Sequence, residues 1–366
     1  MSDIKNRNKF EKKVQSLLKK RKTLKENSIK TYTRNIALLR EHVGYTKNNF
    51  LFLDDTAQIV EIINEKYKTT SSRKTIYNSI YTVIKDTKLT ELTKDFYYKK
   101  MTEYRTQLNK ETDENKMSES QKEKWTSWDN ITRVPELIGT EMKALMPLAN
   151  KRKKLQYFNL YKKYMISSLY TKLPPIRLDY YQIKIFDTKQ RTNDINYIVI
   201  NDEEVKLYLN DYKNVKKMGK VVLDYPENVE KDLRTWYKFK VENDYPSEYL
   251  FYSSIKNNTL FTSNSFGKFL TLIFNKYIKI PITVNMLRHI YETELITSDK
   301  YTKMTIGEKQ KNHNKLLHDF STAQRYVKLD NFIKIFDGVA KMPKEINMND
   351  TDKIKELLQQ MGITVT

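Results

Sequence analysis

Apolar residues recur along the chain at helical spacing, with one interval where the period changes. In SIKTYTRNIALLREHVG, Ile29, Tyr32, Ile36, Leu39 and Val43 share one helical face, with Ser28 as the expected N-cap and Gly44 as the stop. Ile76, Ile80, Val83 and Ile84 repeat the stripe. The segment LNKETDENKMSESQKEK, residues 108–124, has no apolar period and reads as the connector between two parts. Leu155, Phe158, Leu160, Tyr161, Tyr164, Met165 and Leu169 then predict a long buried helix that ends at Pro174 and Pro175. Three strand-like runs follow (QIKIF, NYIVI and VKLYL), and the turn NDYKNVKKMGK leads into a fourth, VVLDY. Helical patterning returns in NVEKDLRTWYKFKV, SFGKFLTLIFNKYI and TVNMLRHIYETELI. TDKIKELLQQMG, near the end, reads as a short amphipathic helix. The expected fold is mainly α. A helical domain over residues 1–110 and a linker over 111–124 precede a second domain, residues 125–366, that is mostly helical with a small antiparallel β-sheet.

Charge narrows the function. The chain carries 67 Lys and Arg against 45 Asp and Glu, a net +22, and residues 1–110 alone hold 25 against 12. Such an excess attracts polyanions. A membrane span needs roughly 20 nearly uninterrupted apolar residues, and the sequence has none. The opening MSDIKNRNKFEKK lacks the apolar run of a signal peptide. Nucleic acid is therefore the expected partner, with no membrane and no small-molecule cofactor. The absence of cysteine excludes thiol catalysis and cysteine-ligated zinc. The four histidines are His42, His289, His313 and His318, and no metal site is expected among them.

Four segments carry residue types that suit phosphodiester chemistry. In LPPIRLDYY, Arg177 follows a double proline; in LNDYKNVKKMGKVV, Lys213, Lys216 and Lys217 sit in a turn between strands. NMLRHIYET puts Asn285, Arg288 and His289 at a helix start, and LLHDFSTAQRYVK places His318 eight residues before Tyr326. Displacement at phosphorus builds extra negative charge on the non-bridging oxygens, which guanidiniums can clamp by paired hydrogen bonds. A lysine can protonate the departing oxygen, and a tyrosine can hold the bond as an ester. Each residue alone reads more simply as a packed tyrosine, a paired arginine or a solvated lysine. The order Arg, Lys, Arg-His, His, Tyr is the specific signal.

With these motifs the chain resembles the tyrosine recombinases, the lambda-integrase type of site-specific recombinases and integrases. NMLRHIYET resembles the family box H-x-L-R-H-T-F-A-T at Leu287, Arg288, His289 and Thr293, with Asn285 in place of its first histidine. LLHDFSTAQRYVK is similar to the nucleophile box at Leu316, His318, Thr322 and Tyr326, with Leu317 where the family has glycine. In IRLDYY the acidic residue after the arginine is Asp179. The resemblance implies a two-domain clamp on double-stranded DNA, with an N-terminal core-binding domain. It implies a metal-independent reaction through a 3′-phosphotyrosyl intermediate in a homo-tetramer, and a virus or mobile element as the setting. It assigns Arg177 and Arg288 as phosphate clamps, Lys213 as general acid and Asn285 as a phosphate hydrogen-bonder. His318, with His313 as its rival, is the supporting imidazole, and Tyr326 the nucleophile. The terminal helix is expected either to pack on its own domain or to dock into a neighbouring protomer. A type IB topoisomerase and an inactive DNA-binding homologue are the alternative readings.

Overall fold

The computed structural model describes residues 2–146, 150–190, 194–318 and 320–328. The terminal amphipathic helix expected near residues 351–366 lies outside them. The chain divides into two compact units, Met1–Glu114 and Asn115–Thr366.

The first unit is helical: α1 (Ser2–Lys19), α2 (Glu26–His42), α3 (Thr56–Lys66), α4 (Thr70–Ile84) and α5 (Glu91–Asp113). Its core takes Phe10, Val14 and Leu18 from α1, Ile36 and Leu39 from α2, and Ile76, Ile80, Val83 and Ile84 from α4. Ser28 is not the N-cap of α2. The helix starts two residues earlier, with Lys25 at the cap and the Ser28 amide already bonded to the Lys25 carbonyl. Glu26 in the first turn meets the positive end of the helix dipole there. Gly44 does end the helix, at φ 69°, a left-handed conformation open to glycine at no steric cost. The polar run from residue 108 is not loop throughout. Leu108–Asp113 completes α5, and Gln107 donates to Glu111 one turn on.

The second unit begins with α6 (Glu119–Lys122), α7 (Trp128–Thr132), α8 (Val134–Ala144) and α9 (Lys151–Thr171). Strands β1 (Lys184–Phe186), β2 (Tyr197–Ile200), β3 (Val205–Leu209) and β4 (Val221–Asp224) form one sheet in that order, with α10 (Val215–Met218) in the β3–β4 turn. β2, β3 and β4 are antiparallel as the sequence predicts, but β1 runs parallel to β2, so the sheet is mixed. A parallel neighbour requires the chain to travel back before re-entering the sheet, which periodicity alone does not reveal. Then come α11 (Glu227–Glu242), the hairpin of β5 (Tyr252–Ser254) and β6 (Thr259–Leu260), α12 (Ser263–Ile278) and α13 (Val284–Thr297). Short helices α14 (Asp299–Thr302), α15 (Ile306–Asn314) and α16 (Phe320–Gln324) follow. The core joins Phe158, Met165 and Leu169 of α9 to Ile198 and Leu207 of the sheet, Trp236 of α11, and Leu270 and Leu287. No helix among the described residues is long and apolar enough to cross a membrane.

Candidate functional site

Helix α13 is the platform of the site. Thr283 caps it, its hydroxyl accepting from the Met286 amide, and Leu287 and Ile290 bury its inner face. Residues four apart on a helix lie one above the other, so α13 presents two polar pairs, Arg288 with Glu292 and His289 with Thr293. The first pair holds the segment around His318, and the second holds the chain at Tyr326.

Arg288 is 1% exposed, and the protein fixes three of its five N–H groups. Nη1 donates to the Pro175 carbonyl at 2.8 Å and to the Leu316 carbonyl at 3.0 Å, and Nη2 meets Nδ1 of His318 at 2.8 Å. Pro175, two residues before Arg177, thus anchors Arg288 through its carbonyl. Nε–H of Arg288 is buried without an acceptor among the described residues. Burial lowers the pKa of the guanidinium from its ordinary value, opposed by Tyr326. The guanidinium carbon lies 5.1 Å from the centre of the Tyr326 ring.

Because arginine only donates, Nδ1 of His318 must accept, and the ring proton sits on Nε2. Nε2 is 2.5 Å from Oε1 of Glu292, to which it donates. The same Oε1 takes a second hydrogen bond from Nδ1 of His313 at 3.2 Å, and that nitrogen is also 3.0 Å from Oε2. Nε2 of His313 meets the Tyr301 hydroxyl at 2.8 Å. Tyr301, His313, Glu292, His318 and Arg288 therefore form one buried chain of hydrogen bonds. Burial would raise the Glu292 carboxyl, but the two histidines outweigh it and hold the group below the ordinary carboxylate range. Burial also lowers His318, against the pull of Glu292.

Tyr326 is half-buried just beyond α16. Its amide donates to the Ala323 carbonyl, and its own carbonyl accepts from Nδ1 of His289 at 2.7 Å. Burial, the largest influence, pushes the His289 pKa down to about 4, so the ring is neutral near pH 7. Thr293 accepts from the Lys328 amide at 3.1 Å and fixes the chain two residues past the tyrosine. The Tyr326 ring lies 4.6 Å from that of His289 and 5.2 Å from that of His318, centre to centre.

The remaining sequence candidates surround this centre at different depths. Arg177 is half-buried in the irregular segment after α9, its carbonyl accepting from the Tyr170 hydroxyl at 2.7 Å. Its side chain makes no hydrogen bond or ion pair among the described residues, though its charge is felt by both Arg288 and Asp179. Burial raises the Asp179 carboxyl, and Arg177 and Arg288 act against that rise. Asn285 is exposed one turn before Arg288 on α13. Lys213, Lys216 and Lys217 are exposed in the β3–β4 turn, where the sequence puts them, with Lys213 four residues past the end of β3. The Asn214 amide, next to Lys213, donates to the Leu317 carbonyl at 2.7 Å and ties this turn to the His318 segment.

Glu292 and Tyr301 were not visible as site residues in the sequence. A glutamate at the alanine position of the quoted box was the available signal. His313 and His318, the two rivals for the imidazole role, bind one carboxylate. The three groups offer ligand atoms within 4.8 Å of one another, a cluster that separations of 21 and 26 residues hide in the sequence. Their bonding suits protons better than a metal. A histidine bound to metal through one nitrogen donates through the other, whereas Nδ1 of His318 accepts from Arg288.

No protein-family model and no curated protein matches the chain. Among solved structures it is similar to one titled "Crystal structure of XerA recombinase". That match has 13% sequence identity and a TM-score of 0.36, covering 93% of this chain and 100% of that chain.

Proposed function

We propose that the second unit is a DNA strand transferase in which Tyr326 cuts one strand and stores the bond as a 3′-phosphotyrosyl ester, in the manner of the tyrosine recombinases that its motifs resemble. One observation carries the reading. Arg288 is a buried guanidinium with no carboxylate bonded to it directly, an Nε–H without an acceptor, and a tyrosine ring over its face. Buried donors are nearly always matched, so a phosphate oxygen is the natural partner of that Nε–H. Arginine suits that partner because its donors form a planar fork and its charge is never lost.

In this mechanism the Tyr326 oxygen attacks phosphorus and the bond to the 5′ oxygen breaks. The phenolic proton passes to solvent, and the leaving oxygen takes a proton from Lys213, whose turn is held to the Leu317 carbonyl through Asn214. Arg288 and Arg177 take up the negative charge that builds on the phosphorane, and Asn285 adds a neutral hydrogen bond. The 5′ hydroxyl of a partner strand then displaces the tyrosine, and four copies on two duplexes would exchange strands. Removing one preorganised donor from such a site costs about 100- to 1,000-fold in rate.

The test uses supercoiled plasmid carrying the DNA that flanks the gene, in EDTA, quenched with SDS. Protein–DNA adducts that form with the wild type and disappear in Tyr326→Phe are the expected result. Recombined circles alongside them mark a recombinase, and rapid relaxation without them a topoisomerase. Adducts that survive in the Phe variant would exclude Tyr326 as nucleophile, and a wild type that forms none would leave a DNA-binding protein.

A further inference from the structure

We infer that Glu292 is a positioning residue for Arg288, acting through His318, and that it fixes the two buried histidines in opposite tautomers. This rests on the strand-transfer reading for its purpose but not for its geometry. Arg288 faces Nδ1 of His318 with a donor, so that nitrogen must carry a lone pair. Glu292 makes this possible by accepting the proton on Nε2. On its other side the same carboxylate oxygen accepts from Nδ1 of His313, and in the neutral ring Nε2 then accepts from the Tyr301 hydroxyl. His318 is therefore the Nε2–H form and His313 the Nδ1–H form. Both ring nitrogens of His318 are occupied, so in this arrangement it does not reach substrate; it sets the angle of the guanidinium that does.

The network also explains how Arg288 is tolerated where it lies. Its nearest buried countercharge is Glu292, one imidazole away, so the charges are balanced while the Nε edge of the fork stays uncommitted. A direct Arg–Glu pair would occupy donors that a phosphate needs. Tyr301 and His313 brace the carboxylate from α14 and α15, linking those helices to the reacting centre.

Oε1 of Glu292 accepts both imidazole protons while Oε2 has no hydrogen-bond partner among the described residues. Glu292→Gln can place its carbonyl at Oε1 and keep the His318 bond, with its amide at Oε2 facing Nδ1–H of His313, whereas Glu292→Ala loses both partners. At saturating DNA, Ala should slow adduct formation about 100-fold, the scale of a 1 Å misplacement of a catalytic group. Gln should cost less than about 10-fold on the same scale, and DNA affinity should hold in both. A ¹⁵N-histidine spectrum of the wild type reads the tautomers directly and should show one buried ring protonated at Nε2 and one at Nδ1. Glu292→Ala within threefold of wild type, Gln as damaging as Ala, or a doubly protonated His318 at neutral pH would each overturn the proposal. Should the Ala variant not fold, the spectrum and the Gln variant decide. A wild type that forms no adduct would defeat the strand-transfer reading and the catalytic purpose of Glu292, while the tautomer pair would still stand or fall on its spectrum.

Discussion

At the scale of single residues, Leu317 shows how a departure from a motif can keep the motif's backbone. It occupies the position where the resembled box has glycine, and it adopts φ 59°, a left-handed conformation that glycine reaches freely. Forcing a leucine there costs about 1–2 kcal/mol. The side chain is fully buried in the core of the second unit, and removing a buried leucine side chain costs about 2–5 kcal/mol. Burial is the larger effect. Leu317→Gly should therefore destabilise the protein by about 2 kcal/mol in urea unfolding, the difference between the midpoints of those two terms. A stabilised variant would show that strain dominates. The comparison also shows what was legible at this scale. Arg288, His318 and Tyr326 stood out by type and spacing, and the structure sets them side by side. Glu292 did not, because a buried glutamate is recognisable only through the two histidines that the fold brings to it.

At the scale of elements, apolar patterning located six of the sixteen described helices (α2, α4, α9, α11, α12 and α13) and all four strands of the main sheet, of which β2 is buried at every residue and β4 alternates. Pairing direction and helix starts were less legible. The parallel β1 depends on the path of its connection, and α2 begins on backbone bonds at Lys25 rather than on a capping side chain. The pattern also treated lysines as surface residues, and two are not. Lys162 of α9 donates to the Tyr252 carbonyl at 2.9 Å, and Lys240 of α11 donates to the Tyr249 carbonyl at 2.7 Å, so both pin the chain that forms β5. Both are nearly fully buried, and burial lowers their pKa values to about 8 and about 7. An unfolded lysine titrates near 10.4. Between pH 7 and that value the unfolded state keeps a proton that folded Lys240 has released, so raising the pH favours the folded state. Below pH 7 both states carry the proton and the full penalty remains. Stability should accordingly rise from pH 7 to 10 in thermal unfolding, and Lys240→Met should flatten the rise. A slope unchanged by the substitution would mean that Lys240 stays charged in place.

At the scale of the whole molecule, charge separates what each unit can do alone. Residues 1–114 hold 25 Lys and Arg against 15 Asp and Glu, and they enclose an apolar core of their own. Lys12, Lys19, Lys20, Lys22, Lys25 and Lys30 are exposed on and between α1 and α2, without ion pairs among the described residues. Cations not neutralised internally are available to phosphates, and each phosphate contact releases condensed counterions from the duplex. The strand-transfer reading requires the chain to hold DNA while Tyr326 reacts, and this unit carries none of the proposed catalytic residues. A fragment of residues 1–114 should therefore unfold cooperatively and bind duplex DNA in fluorescence anisotropy with no chemistry. Binding should weaken by about 40-fold between 50 and 200 mM salt if it makes three phosphate contacts, given a slope near 0.9 per phosphate. The full chain should fall more steeply, because the second unit adds contacts. Equal slopes would place the electrostatic grip in the N-terminal unit alone. A fragment that folds but shows no salt-sensitive binding would move it to the unit that carries Arg288 and Tyr326, and the basic surface of α1 and α2 would then serve only solubility.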